Sequence, residues 1–235
     1  MESEDRFYDL AAQYAETGSD TETDFLMPEE LATFRNIQSQ LSYAAPRVVP
    51  EDGERCCVHF GNGDAQLAVL EIVPNGAVTL RHPDILGALM GLGIERRVVG
   101  DIFPTDKKAY VVIKRAMADF FLTHCFAIGR HVVHTAILPS LPEEATPKFA
   151  EEEVVLSSLR LDRFVSTVFH IGRAAAQEAI RGGLVFIDGA EEKRVAVTIK
   201  PPCRVSFRHH GKVQCGSILR RTRKESFVMG IRRYL

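Results

Sequence analysis

Arg160-Leu161-Asp162-Arg163-Phe164, then Gly172-Arg173, then Ala179-Ile180-Arg181-Gly182-Gly183-Leu184-Val185-Phe186-Ile187-Asp188-Gly189 is the stretch that decides the reading of this chain. Leu161, Phe164, Val165 and Val168 fall at helical spacing and predict one amphipathic helix. Gly172 interrupts it. Ala174 to Ile180 predicts a second helix, which Gly182-Gly183 ends. Leu184 to Ile187 then reads as a strand, and Asp188-Gly189 as a tight hairpin turn. Val195 to Ile199 and Cys203 to Phe207 read as further strands. Arg160, Arg163, Arg173 and Arg181 lie on or beside the two helices, and a guanidinium suits a phosphate fork better than an ammonium does.

Charge points the same way. Residues 1–155 hold 13 basic and 25 acidic side chains, and residues 156–235 hold 16 and 6, so a net −2 hides halves of −12 and +10. A small domain with that excess attracts polyanions over a Debye length, ~8 Å at physiological salt.

With Arg208-His209-His210-Gly211-Lys212 added, the stretch resembles the RNA-binding domain named after small-subunit ribosomal protein four, here the S-four domain. Two positions depart from that pattern. Gly172 stands where the family usually has Ser, which removes a helix cap, and Pro202-Cys203 stands where it often has Gly-Asp. A second resemblance extends the first. His82-Pro83-Asp84-Ile85-Leu86-Gly87-Ala88-Leu89-Met90-Gly91-Leu92-Gly93-Ile94 with Val99-Gly100-Asp101-Ile102 is similar to the central domain of the bacterial YlmH family. Arg220-Arg221-Thr222-Arg223-Lys224 and Ile231-Arg232-Arg233-Tyr234-Leu235 fit that family's ending. The resemblance implies a cytoplasmic bacterial protein that binds RNA of the large ribosomal subunit or its tRNA, in ribosome quality control.

The rest of the chain reads as two further parts. Phe7, Leu10, Ala11 and Tyr14 share a helical face, and Met27-Pro28-Glu29-Glu30 opens a second helix carrying Leu31, Phe34, Ile37 and Leu41, so residues 1–54 are expected to be an acidic helical segment. Residues 55–140 predict the order β-α-β-β-α-β of a ferredoxin-like (RRM-like) domain. Its second helix is expected from Lys114 or Arg115 through Ile128, and a last strand from His131 to Leu138. Residues 141–155, rich in Pro and Glu, read as a linker, and 156–235 as the S-four domain with a basic terminal strand. The fold class expected is α+β.

The RNA-binding residues expected are Arg160, Arg163, Arg173, Gln177, Arg181, Arg208, Lys212, Arg220, Arg221, Arg223 and Lys224. Arg96, Arg97, Lys107 and Lys108 form a possible second contact. Arg160-Leu161-Asp162 is reminiscent of the catalytic tripeptide of pseudouridine synthases, but Asp162 is expected to orient the arginines or cap the helix. The competing class is an RNA-modifying enzyme, a pseudouridine synthase or ribosomal RNA methyltransferase carrying an S-four domain. A non-enzymatic binder is expected because no catalytic signature stands in residues 1–150. No cofactor or metal is expected, since neither a phosphate loop nor a CxxC or HExxH spacing occurs. Five cysteines without a paired spacing suit a reducing cytosol. The acidic N-terminus is not a secretory signal. Neither a membrane partner nor an oligomer is expected.

Overall fold

The computed structural model describes residues 2–235, with side-chain environments from Glu4 onward. The chain divides into one unit ending at Thr146 and a second spanning Pro147–Leu235. Both are mixed helix and sheet, an α+β architecture. Among the described residues no helix is long and apolar enough to cross a membrane.

In the first unit, α1 (Glu2–Thr17) and α2 (Pro28–Ile37) pack through Phe7, Ala11, Leu31, Phe34 and Ile37, all buried. Glu30 accepts the Met27 backbone N–H at 2.7 Å and steadies the helix start. The acidic segment expected to be helical also contains strands. A small sheet of β1 (Thr21–Glu22), β2 (Pro46–Val49) and β3 (Cys57–Phe60), ordered β1-β3-β2, closes this core. Cys57–Phe60 therefore belongs with the N-terminal layer and not with the central domain expected from residue 55. Buried His59 bridges Asp20 at 3.1 Å and Glu22 at 3.2 Å, and Lys114 Nζ reaches Glu22 and the Thr23 carbonyl. These long-range polar ties make residues 1–146 one unit.

The central strands are β4 (Leu67–Pro74), β5 (Val99–Pro104) and β6 (Ala109–Lys114), with α3 (His82–Gly91) between β4 and β5. α4 (Ala118–His124), β7 (Ala127–Ile128) and β8 (His131–Leu138) follow. The sheet order is β5-β6-β4-β8-β7, antiparallel throughout. The helix expected to reach Ile128 ends at His124, because Ala127–Ile128 pairs with β8 through the two-residue turn Gly129-Arg130. Gly129 sits at φ +58°, the residue that the first corner of such a turn favours.

In the second unit, α5 (Leu161–Val168) and α6 (Arg173–Arg181) bury Phe164, Val165, Val168, Ala176 and Ile180 against one sheet. Gly183 at φ +71° ends α6 with left-handed backbone. Gly172 caps α6 without a side-chain hydrogen bond, as the missing serine implies. The expected linker is corrected: its second half is a strand. With β9 (Phe149–Leu156), β10 (Val185–Ile187), β11 (Ala190–Glu191), β12 (Cys203–Phe207), β13 (Gly211–Arg221) and β14 (Phe227–Tyr234), it builds a sheet ordered β11-β10-β12-β13-β14-β9. Val195–Ile199 is not a regular strand. It runs beside the start of α5, held by the Leu161 N–H to Val197 carbonyl bond at 2.8 Å and one bridge between Arg160 and Thr198.

All five cysteines are free and buried. Burial pushes the Cys57 thiol up to about 12 and Cys125 to about 11. A hydrogen bond with Cys203, together with burial, raises Cys215. The thiolate is the reactive form, so native protein is expected to be inert to a thiol reagent at pH 8. Release of five equivalents should appear only on denaturation, and rapid native labelling of any cysteine would contradict the packing.

Candidate nucleic-acid interface

Asp162 organises the helical face of the second unit. It is fully buried, at 0% exposure. Arg160 donates to it through Nε at 3.0 Å and Nη2 at 3.2 Å, Arg173 through Nε at 3.0 Å, and Gln177 through Nε2 at 3.0 Å. The Arg163 backbone N–H adds a bond at 3.0 Å. Burial alone would raise the carboxyl's pKa. The bonds from Arg160, Gln177 and Arg173 outweigh it and hold the group well below the ordinary carboxylate range. With no exposed surface and both oxygens engaged, Asp162 fixes the orientation of the side chains around it.

This sorts the expected contacts. Arg160 and Arg173 keep 40% and 44% of their side chains exposed while pinned to Asp162, so each offers an outward guanidinium edge in a fixed orientation. Gln177 uses its amide on Asp162 and is a positioning residue. Arg163 and Arg181 are exposed and make no ion pair among the described residues. Arg208 is exposed with its guanidinium 5.4 Å from the Phe186 ring. Lys212 departs from expectation. It is half-buried against Tyr234, 5.0 Å from that ring, and burial lowers its pKa.

The basic tail is part of the sheet, and acids offset half of it. Arg220 pairs with Glu153 at 2.8 Å, and Arg221 with Glu225 at 2.9 Å while covering Phe227. Arg223 and Lys224 stand exposed on the turn between β13 and β14. Arg233 binds Glu152 at 2.7 Å and the Val168 carbonyl at 3.0 Å, tying β14 to both β9 and the end of α5. Two of these three glutamates, Glu152 and Glu153, lie in the stretch read as a linker.

The possible second contact is mostly spent internally. Arg96 turns inward onto the Val99 and Gly100 carbonyls, and burial and the nearby Arg55 lower its pKa to about 10. Arg97 pairs with Glu30 at 3.6 Å, and Lys108 with Glu71 at 2.7 Å. Only Lys107 of these four is exposed without a charged partner among the described residues. The face of the central sheet on which RRM domains stack bases is largely covered here, with Phe103 its half-buried aromatic. Val69 and Tyr110 on that face pack under Leu138, Leu141 and Ala145, and the Tyr110 hydroxyl donates to Glu144.

Residues 62–140 match the family model described as the putative RNA-binding domain in YlmH. Over 152 residues the chain is 26% identical to a Bacillus subtilis protein named ribosome-associated protein quality control protein P2. That match covers 64% of this chain and 59% of the relative, so the chain spans under two thirds of the relative's length. The solved structure of cell division protein ylmH from Streptococcus pneumoniae aligns with a TM-score of 0.47 at 21% identity, covering 58% of this chain and 89% of that one.

The Asp162 cluster has a pH signature. A carboxyl held below its unfolded value, ~3.9, stabilises the fold fully above that value and loses the contribution as pH falls toward the depressed one. The second unit's stability is therefore expected to fall steadily below about pH 4. Asp162→Asn should flatten that dependence and cost about 2–4 kcal/mol at pH 7, because the arginines lose their anion. Urea unfolding of both proteins from pH 2.5 to 7 measures this, and parallel curves would exclude the ionised cluster.

Proposed function

We propose that this protein is a non-enzymatic RNA binder that acts on the ribosome, a reading supported by the match of residues 62–140 to the YlmH RNA-binding-domain model. Its C-terminal unit is an S-four-type domain that grips structured RNA by backbone and shape. The target proposed is ribosomal RNA of the large subunit together with its bound tRNA, in the quality control of stalled subunits. The protein works as a monomer in the cytoplasm.

The observation that carries the reading is the guanidinium array on α5 and α6. Two arginines are held in fixed poses by Asp162, and two more, Arg163 and Arg181, have no acidic partner among the described residues. Helical RNA has a major groove too narrow for side chains, so its phosphates and 2′-hydroxyls are what a protein can grip. The name of the Bacillus subtilis relative supports a ribosomal target. Asp162, the acid a modifying enzyme of the pseudouridine synthase type would need in this tripeptide, is sealed among arginines, which supports binding without catalysis.

Arg163 and Arg181 give the cleaner test, since replacing Arg173 also disturbs Asp162. Arg163→Ala with Arg181→Ala is expected to weaken binding to a structured ribosomal RNA fragment about tenfold. For each phosphate no longer neutralised, the plot of log affinity against log salt should flatten by roughly 0.7–0.9. The weakening should be uniform across sequences. Anisotropy titrations at four salt concentrations measure both quantities, and unchanged affinity with an unchanged slope would remove these residues from the interface.

A further inference from the structure

The first unit contains a cleft that the arginine array does not explain. Its volume is about 610 Å³, within the range of small-ligand sites, roughly 300–1,000 Å³. It opens where the connection 78–81, the first two turns of α3 and the Gly129-Arg130 turn converge. Leu80 and Ile128, both buried, supply apolar wall, and Pro83, Gly87 and Ala88 complete it from α3. Gly87 leaves the cleft wide: a Cβ built there meets nothing within 4 Å.

The rim is cationic. Arg81 lies 78% exposed and pairs with Asp84 at 2.9 Å, so its charge is largely offset. Arg130 is exposed at the turn and makes no ion pair among the described residues. His131, half-buried, lines the cleft beside it. An apolar slot faced by an unspent guanidinium fits a planar base with a phosphate at its edge. The outer face of the central sheet is largely covered by residues 141–145, and the cleft is a concave site on the domain's helical side.

We propose that this cleft takes one unpaired ribonucleotide of a bound RNA, with its base against Leu80, Ile128 and the Gly87 wall and its phosphate on Arg130. The inference rests on the RNA-binding reading above and adds to it a second site, specific for single strands.

The test uses the full chain, labelled hexaribonucleotides of uridine, cytidine and adenosine, and a fully paired RNA hairpin. Gly87→Leu fills the slot on a helix that tolerates leucine better than glycine. It should weaken binding of the preferred hexamer at least tenfold and leave hairpin affinity unchanged. Arg130→Ala, on an exposed turn, should weaken hexamer binding several-fold and flatten its salt slope by about 0.7. A nucleoside monophosphate should displace the hexamer better than inorganic phosphate. Wild-type hexamer affinity in both variants overturns the proposal, as does equal competition by inorganic phosphate. Loss of hexamer binding only in the Arg163→Ala, Arg181→Ala protein also overturns it, by placing single strands on the arginine array. In those outcomes hairpin binding still stands. Failure of the wild-type protein to bind either RNA would instead defeat the functional reading itself.

Discussion

Burial of one carboxylate constrains the whole C-terminal unit. Moving an isolated Asp162 out of water would cost several kcal/mol, and it persists as an ion only because donors converge on it from two helices. Arg160 and the Arg163 backbone come from the start of α5, and Arg173 and Gln177 from the first turns of α6. The two helices cannot shift past each other without orphaning the anion. Their apolar faces supply the bulk of the burial, but apolar contact alone is non-directional. The carboxylate adds direction, and Arg233 does the same from the opposite end by joining β14, β9 and the last turn of α5.

The same cluster turns a structural need into a surface. An unconstrained arginine loses rotamer freedom when it grips a phosphate, an ordering cost of about 0.5–1.5 kcal/mol per side chain. Arg160 and Arg173 have given up much of that freedom already, on folding. Arg163 and Arg181 contribute charge without an internal anion among the described residues. The formal excess of +10 in residues 156–235 overstates the field available. Arg220 and Arg233 are matched by Glu153 and Glu152, which lie outside that range. What remains unmatched is concentrated on the helices, at Arg208 and on the turn at Arg223-Lys224. An array that is partly rigid and partly unpaired suits shape recognition of a repeating backbone.

How much the sequence disclosed depended on how local each interaction was. The 3.6-residue stripe of α5, the alanine-rich α6 and the Asp188-Gly189 turn are encoded by neighbours, and each was legible. Both turn residues adopt positive φ, 51° and 87°, as the dipeptide implies. β9 was not legible, because its Glu151-Glu152-Glu153 run gives no apolar alternation. It becomes a strand only because β14, far later in the chain, offers an edge, with arginines to meet the acids. Cys57–Phe60 fails for a similar reason: it is buried on every residue, and its partners lie in the N-terminal segment. Among the site residues, Arg163 and Arg96 look alike in sequence. One faces solvent and the other caps carbonyls, a difference set by tertiary packing.

The central domain carries that lesson to function. Its strand order places β4 in the middle of an antiparallel sheet, with β6 and β8 on either side. In RRM domains the equivalent face works by presenting aromatics to solvent. Here Tyr110 on that face is buried and committed to Glu144 by a segment that folds back over the sheet, and its neighbour Phe103 is half-buried in the same cluster. A ligand must then reach this domain by its helices, edges or loops, where side chains are not consumed by the core. Of the basic residues there, Arg96 feeds backbone carbonyls and Arg97 and Lys108 feed carboxylates, so arginine and lysine content alone misjudges the surface. Of the cations left over among the described residues, Lys107 and Arg130 lie on turns between antiparallel strands, and Arg115 on the short turn that leads into α4. A turn cannot bury its side chains in the sheet it closes, which is why unspent charge in this domain is found on its connections.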